Sequence, residues 1–250
     1  LRDEIQQCKN SGIQYIEIPI AYDALTVASN PANDWSVRMT TAELKKMWEP
    51  AAQGNITKWK QINSAWPDEP ISLYGADEDS GTYDYFTEAI IGRAKSIRND
   101  FTQSENDNHL VDAVASNKNA IGFFGFGYYI ENQNRVTAVA INNGKGAILP
   151  STDTVEDGSY QPLSRPVFIY VNIKSTEKAE VKEFVDFYLK NALLLVKEVE
   201  FFPLPPRAYK TMLEHFNSKR VGTIFNGKPA IGLTIDELIR RESRLQYENY

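Results

Sequence analysis

The sequence contains very little cysteine and histidine. Cys8 is its one cysteine, so an intramolecular disulfide and a metal site built from several cysteines are excluded. The two histidines, His109 and His215, do not have the close spacing of a zinc site. No G-x-S-x-G motif is present, so serine catalysis is not indicated, and we expect both histidines to have solvated or capping roles. These shortages predict a protein that is not an enzyme and needs no cofactor.

Positive charge and long apolar runs are also scarce. The net charge is −6, the isoelectric point is about 5.1, and the lysines and arginines are scattered along the chain. Nucleic acid and anionic membrane surfaces are therefore poor partners. The longest aliphatic run in the helical patterns, residues 192–196, is far too short to span a membrane. The first ten residues are polar and charged, unlike a signal peptide, so we expect either that none ever existed or that this sequence begins downstream of its natural start.

The elements that the sequence does contain alternate between strands and helices. Strand-like runs at 15–21, 24–29, 71–74, 120–126, 136–141 and 165–172 are interspersed with helical patterns at 1–9, 40–48, 82–91, 110–115, 181–189 and 208–216. Thr40 and Glu43 form a capping box at one helix start, and Asn108 is expected to cap another helix. This alternation predicts an α/β fold with largely parallel sheets, and the long excursions between short strands suggest two lobes.

The segment Ser80-Gly81-Thr82 lies between a strand-like run and a helical pattern. Gly81 allows a ligand to approach the backbone closely, and the hydroxyls of Ser80 and Thr82 can donate hydrogen bonds. The first N–H groups of the helix point the same way, so a tetrahedral oxyanion would fit. Ordinary N-capping explains the same residues about as well. The residues alone leave both interpretations open.

Four carboxylates adjoin this segment, namely Asp77, Glu78, Asp79 and Asp84. Their spacing does not match an EF-hand, and a glycosidase needs two carboxylates separated across a cleft. Acidic residues at a helix start complement its dipole, so we expect Glu78 and Asp84 to be solvated neighbours. The glycines of the stretch AIGFFGFGYY, residues 120–129, are in the wrong order for a dinucleotide loop and predict a tightly packed structural segment.

Several stretches, taken together and in this order, resemble one family. They are EIPIAYDALTVASNP, DSGTYDYFTEAI, IGFFGFGYY, YQPLSRPVFIYVN and RVGTIFNGKPAIGLTIDEL. The chain resembles the phosphate-binding proteins of phosphate ABC transporters, the PstS family, and most closely its SphX-like subgroup. The similarity runs from about residue 1 to residue 243, which is nearly the whole chain. Each motif is moderately specific, and their joint order is highly specific.

The resemblance implies a type II periplasmic binding-protein fold, with two α/β lobes joined by a two-strand hinge. Residues 24–158 would form the second lobe, and residues 1–23 together with 159–250 would form part of the first lobe. Ser80, Gly81 and Thr82 match the family's second-lobe phosphate contacts in the interlobe cleft. The implied partners are inorganic phosphate and the membrane permease of the transporter, and the implied protein is a monomer in the periplasm or cell envelope.

Two departures from the family pattern bear on the site. Relatives carry a further N-terminal segment with a G-S-S-T-like loop and an Asp that accepts the phosphate proton, and we expect this chain to lack that part of the first lobe. Many relatives also have an arginine shortly before S-G-T, where this sequence reads Ala76-Asp77-Glu78. Arg165 is not expected to contact phosphate. A binder of sulfate or molybdate, or a sensing module without transport, remains the alternative.

Overall fold

The computed structural model describes residues 2–225 and 231–248, and side chains from residue 3 to 225 and from 231 to 243. Residues 226–230, within the last of the family-like stretches, lie outside the described part. The strands are β1 Tyr15–Ser29, β2 Arg38–Thr40, β3 Ser72–Ala76, β4 Thr102–Ser104, β5 Ala120–Gly125, β6 Thr137–Ala138, β7 Ala140–Asn142, β8 Ala147–Ile148, β9 Ser164–Asn172 and β10 Phe202–Pro203.

The helices alternate with these strands, as the sequence pattern predicts. They are α1 Arg2–Asn10, α2 Thr41–Trp48, α3 Trp59–Ile62, α4 Gly81–Phe86, α5 Asp107–Ser116, α6 Phe126–Glu131, α7 Thr152–Glu156, α8 Ala179–Glu198, α9 Pro206–Asn217 and α10 Ile235–Glu248. A π-helical turn, Thr87–Ile91, continues α4, and short 3₁₀ turns lie at Pro50–Ala52 and Ile173–Glu177. None of the helices in the described residues is long and apolar enough to cross a membrane.

The chain divides into two compact units. Unit 1 consists of Leu1–Asp23 and Arg165–Tyr250, and unit 2 consists of Ala24–Ser164. The chain passes from one unit to the other twice, once within β1 and once within β9. The resemblance implied a second boundary between residues 158 and 159, whereas the chain divides between Ser164 and Arg165. That these units act as lobes joined by a hinge stays a prediction.

Unit 2 contains a mixed sheet built around β5. The β1 residues from Leu25 to Ser29 pair antiparallel with β5, and β3 pairs in parallel with β5 on one side and β4 on the other. A smaller sheet has β7 parallel to β2 and antiparallel to β8. Helix α5 covers the larger sheet with Leu110, Val111 and Val114, which pack against Phe124. The sheets are thus mixed, with parallel and antiparallel pairs side by side.

An aromatic cluster holds β3 and α4 together in unit 2. The Phe123 ring of β5 stacks on Phe86 of α4 with ring centroids 3.9 Å apart, and Trp48 contacts Phe123 edge-on at 5.1 Å. All three side chains are fully buried. A Cβ added at Gly75 would lie 2.3 Å from the Phe123 ring, so the lack of a side chain at this position lets the ring lie over β3. Gly75 of β3 and Phe86 of α4, on either side of the loop between them, thus both lie against the Phe123 ring.

Unit 1 buries one face of its long helix α8. The apolar spacing of Val181, Phe184, Val185, Tyr188 and Leu189 predicts one buried face, but only Val185 and Leu189 of these are buried, and Phe184 is 60% exposed. The buried face continues instead through Ala192 and Val196. Within this unit, Ala21 and Tyr22 of β1 pair antiparallel with Pro203 and Phe202 of β10. These two residues belong to β1, whose side chains are almost all buried.

Three local expectations differ from the structure. The two strands predicted at 15–21 and 24–29 are one continuous strand, β1, in which Tyr22 is buried and donates a hydrogen bond to the Leu233 carbonyl at 2.9 Å. Asn106, not Asn108, caps α5, because its Oδ1 accepts the Asn108 N–H at 3.0 Å. The run at 136–141 is divided between β6 and β7. By contrast, the capping box of Thr40 and Glu43 is confirmed.

The expectation of a solvated or capping role is wrong for His215. This residue is 3% exposed, and its Nδ1 lies 3.4 Å from the Glu242 carboxylate of α10, which is equally buried. Arg220 contacts the other ring nitrogen at 2.5 Å and donates to the Glu242 carbonyl at 3.1 Å. His215 follows Met212 by three residues and Ala208 by seven, both buried, so the periodicity of α9 already placed it on the inner face.

Glu17 is a buried carboxyl group in unit 1. Its side chain accepts the Ile224 N–H at 3.0 Å and the Tyr170 hydroxyl at 3.1 Å, and the residue is 6% exposed. Burial raises the pKa of the Glu17 carboxyl to about 7, although these hydrogen bonds act to lower it. In the folded protein Glu17 therefore keeps its proton at pH values where the unfolded chain has lost it.

We expect the stability of the protein to fall as the pH rises through this window. The unfolded chain releases the Glu17 proton near pH 4.5, and the folded chain releases it near pH 7. The contribution of Glu17 to the free energy of unfolding is therefore fully present below pH 4.5 and is lost as the pH rises to 7 and above. The loss between pH 5 and pH 7 should be about 2 kcal/mol in urea unfolding, and Glu17→Gln should remove it. Exposed Glu183→Gln serves as the control, and parallel curves for wild type and Glu17→Gln would contradict this expectation.

Candidate functional site

The segment Ser80-Gly81-Thr82 begins helix α4, directly after β3 and a short turn. The Ser80 N–H donates to the Asp77 carbonyl at 3.1 Å, which closes this turn. Ser80 then takes an extended backbone conformation and caps the helix, because its Oγ accepts the Thr82 N–H at 3.1 Å. The capping interpretation of the sequence is therefore confirmed. Binding of an anion by the same residues further requires that their hydroxyl and N–H groups are accessible to a ligand.

The segment is accessible on its outer side and firmly held on its inner side. Gly81 is exposed, and Ser80 and Thr82 are half-buried. On the inner side, the buried Tyr85 hydroxyl lies 2.7 Å from the carbonyl oxygens of both Pro162 and Ser164. The first turn of α4 is thus anchored within unit 2, which limits how far Ser80 and Thr82 can shift when a ligand approaches.

The chemistry of this segment suits an acceptor-rich ligand. The Ser80 oxygen already accepts one N–H, and its hydroxyl hydrogen can still be donated. The Thr82 hydroxyl is a second donor two residues away, on the same turn at the helix N-terminus. Neutral donors at a helix start can bind an oxyanion without a cationic side chain. The arrangement therefore supplies hydrogen-bond donors that could hold an oxyanion.

The carboxylates beside the segment differ in their surroundings. Glu78 and Asp79 are exposed, as expected for solvated neighbours, and Asp77 Oδ1 accepts the Asp79 N–H at 3.3 Å. Asp84 is half-buried and lies 3.8 Å from the Lys95 ammonium group, so it is not simply solvated. Lys95 was missed by sequence reasoning. It follows Gly92, which has a left-handed φ of 92° and ends the π-helical turn, and in the folded chain its ammonium group lies beside this loop.

The other residues singled out in the sequence lie elsewhere. His109 is exposed in the first turn of α5, and its N–H donates to the Asn106 carbonyl. Arg165 donates to the Asp23 carboxylate at 3.1 and 3.2 Å within unit 1. Gly122 lies in β5, where an added Cβ would be 2.9 Å from the Tyr74 carbonyl, in agreement with close packing. Across residues 2–225 and 231–248, no group of three or more His, Cys, Asp or Glu could hold a metal ion.

Comparison with known proteins decides the family. A family model described as a PBP superfamily domain matches residues 1–192. The protein SphX from Synechocystis is 46% identical over 246 residues, which are 98% of this chain and 73% of SphX. The chain belongs to the family of phosphate-binding proteins that includes SphX and PstS. The phosphate-binding protein PstS from Staphylococcus haemolyticus is 34% identical over 216 residues, 85% of this chain and 65% of that protein.

Solved structures of this family share the fold. A crystal structure described as a possible phosphate binding protein from Planctomyces limnophilus is 42% identical, with a TM-score of 0.75 over 88% of this chain and 78% of that one. A Clostridium perfringens substrate-binding protein with bound phosphate, ascribed to a phosphate ABC transporter, is 26% identical, with a TM-score of 0.60 over 80% and 75%. The α/β fold is the type II periplasmic binding-protein fold, and the expected family and fold are confirmed.

Proposed function

We propose that this chain is the solute-binding protein of a phosphate ABC transporter. It captures inorganic phosphate reversibly, performs no chemistry on it, and delivers it to the membrane permease. The observation that carries the proposal is the match to two proteins named or described as phosphate-binding, over 85% and 88% of this chain. Its site of action is outside the cytoplasmic membrane, in the periplasm or cell envelope, as described for a periplasmic phosphate-binding protein with the same fold.

We place phosphate contacts at Ser80, Gly81 and Thr82. Three features support this assignment: two hydroxyl donors on one helix turn, an exposed glycine between them, and a first turn anchored by the buried Tyr85 hydroxyl. A bound phosphate would accept hydrogen bonds from these hydroxyls while the Ser80 oxygen continues to cap the helix. The acidic neighbours oppose anion approach at long range, but salt screens exposed charges beyond about 8–10 Å, whereas direct hydrogen bonds persist.

Isothermal titration of the natural full-length protein tests the function. We expect saturable binding of one phosphate per chain, competition by arsenate, which has the same shape and protonation, and weaker binding of sulfate, which has no proton to donate at neutral pH. Tighter binding of sulfate or molybdate would establish the alternative of another oxyanion binder. If no oxyanion binds, a role in phosphate capture is ruled out. Release of phosphate from a phosphoester would show an enzyme.

A further inference from the structure

Lys95 makes contacts on both sides of the Ser80-Gly81-Thr82 turn. Its ammonium nitrogen lies 3.4 Å from the Glu78 carbonyl oxygen, two residues before Ser80, and 3.8 Å from Asp84 Oδ1, two residues after Thr82. One side chain from the segment that follows α4 thus reaches both the turn before the helix and its first turn. The Lys95 side chain remains 62% exposed, so its charge faces solvent beside the segment.

The backbone of Lys95 is held in a conformation that lysine seldom adopts. Its φ is +59°, in the left-handed region, which costs a residue with a Cβ about 1–2 kcal/mol. The Lys95 N–H donates to Thr87 Oγ1 at 2.8 Å, and Thr87 is completely buried. The Thr87 hydroxyl in turn lies 2.9 Å from the Tyr83 carbonyl. An uncommon conformation held by a buried hydroxyl is an outlier from which a functional role can be inferred.

The segment that carries Lys95 is anchored at its other end by Arg98. This guanidinium is 3% exposed and donates to the carbonyl oxygens of Met47 at 3.1 Å and Ile56 at 2.9 Å. Asp100 accepts from the same guanidinium at 2.5 and 2.8 Å, and this hydrogen bonding lowers the pKa of Asp100 to about 2. Lys95 is therefore presented by a segment fixed at both ends within unit 2.

The loop around Ser80 and Thr82 is strongly negative, and Lys95 is a cation close to it. Asp77, Glu78, Asp79 and Asp84 place four carboxylates within eight residues around the hydroxyl donors. An anion that approaches Ser80 and Thr82 is repelled by this charge unless a cation offsets part of it. Lys95 brings a cation to the loop and contacts Asp84, the carboxylate that lies within the first turn of α4.

We propose that Lys95 is a positioning residue of the anion site. It joins the turn at Glu78 to the first turn of α4 and offsets the carboxylates that surround the hydroxyl donors. The inference rests on the proposed function, since it concerns the binding of phosphate at this segment. Lys95 then acts through the loop geometry and the local charge, without a direct contact to the anion.

Two substitutions separate the charge of Lys95 from its backbone role. Asparagine tolerates the left-handed region and carries no charge, so Lys95→Asn keeps the turn and removes the cation. Lys95→Arg keeps the cation. In phosphate titrations of the full-length protein we expect Lys95→Asn to weaken binding about three- to fivefold, which corresponds to the upper end of the interaction energy of an exposed ion pair. The affinity of Lys95→Arg should stay within about twofold of wild type. The weakening should shrink in about 0.5 M salt.

The control is Lys145→Asn, because Lys145 is an exposed lysine of unit 2 in the loop after β7. It should bind phosphate as wild type does. If wild type binds phosphate and Lys95→Asn binds equally well, or if Lys95→Arg loses as much as Lys95→Asn, the role of Lys95 is wrong and the phosphate function stands. If wild type binds no phosphate, the proposed function fails and the inference fails with it.

Discussion

Replacing Ser80 and Thr82 together by alanine weakens phosphate binding at least tenfold. Each hydroxyl that donates to a charged oxygen contributes about 1.5–3 kcal/mol, and tenfold corresponds to about 1.4 kcal/mol. Ser80→Ala also removes the acceptor of the Thr82 N–H at 3.1 Å, which would cost about 1 kcal/mol of folding stability. Phosphate titration of the full-length double variant, together with its melting temperature, measures the two effects separately.

The chain offers a matched control for the loss of a helix cap. Ser151 and Thr154 form a capping box at the start of α7 in the same unit, where Ser151 Oγ accepts the Thr154 N–H at 3.2 Å. Ser151→Ala with Thr154→Ala removes two hydroxyls and a cap of the same kind. Phosphate affinity should stay at the wild-type value in this control. If the Ser80/Thr82 double variant bound phosphate as tightly as wild type, phosphate would not bind at the start of α4.

Replacing Phe123 by alanine lowers the free energy of unfolding by about 3–5 kcal/mol, the range for a buried phenylalanine. The ring is completely buried, stacks on Phe86 at 3.9 Å and contacts Trp48 at 5.1 Å. Removal of the ring leaves a cavity between β5 and α4, and the neighbouring Phe86 and Trp48 rings can relax into only part of it. Urea unfolding followed by tryptophan fluorescence measures the loss, since Trp48 lies in the same cluster.

A phenylalanine on the surface provides the comparison for Phe123. Phe184 lies on α8 and is 60% exposed, so Phe184→Ala should change the stability by less than about 0.5 kcal/mol. Phe123→Leu fills more of the space than alanine does and should lose less stability than Phe123→Ala. A loss of less than about 1 kcal/mol for Phe123→Ala would mean that the cluster relaxes around the cavity, and that the ring does not hold α4 against β5.

Much of the local structure could be predicted because it depends on residues close together in the sequence. The capping box of Thr40 and Glu43 joins residues three apart, and the cap formed by Ser80 joins residues two apart. Part of the core face of α8, Val185 and Leu189, follows from apolar residues at helical spacing. The candidate anion contacts could be named for the same reason, because Ser80, Gly81 and Thr82 are consecutive. Their phosphate contacts stay a prediction.

Exact helix ends and contacts between distant residues could not be predicted in this way. The cap of α5 is at Asn106 and not Asn108, a two-residue error of the kind that local patterns leave at helix ends. The burial of His215 against Glu242 depends on α10 packing against α9. Burial raises the pKa of Glu17, and the groups that hydrogen-bond its carboxyl, from Tyr170 and Ile224, lie more than 150 residues away in the sequence.

The composition limits, most helix starts and the ordered motifs that indicate the family follow from the amino-acid sequence alone. Each of these is carried by neighbouring residues or by fixed spacing, so the backbone path is not needed to recognise it. The contacts of Lys95 with Glu78 and Asp84 across the Ser80-Gly81-Thr82 turn are visible only in the folded chain. The path that brings a side chain back to an earlier loop depends on packing throughout unit 2, and no local pattern encodes it.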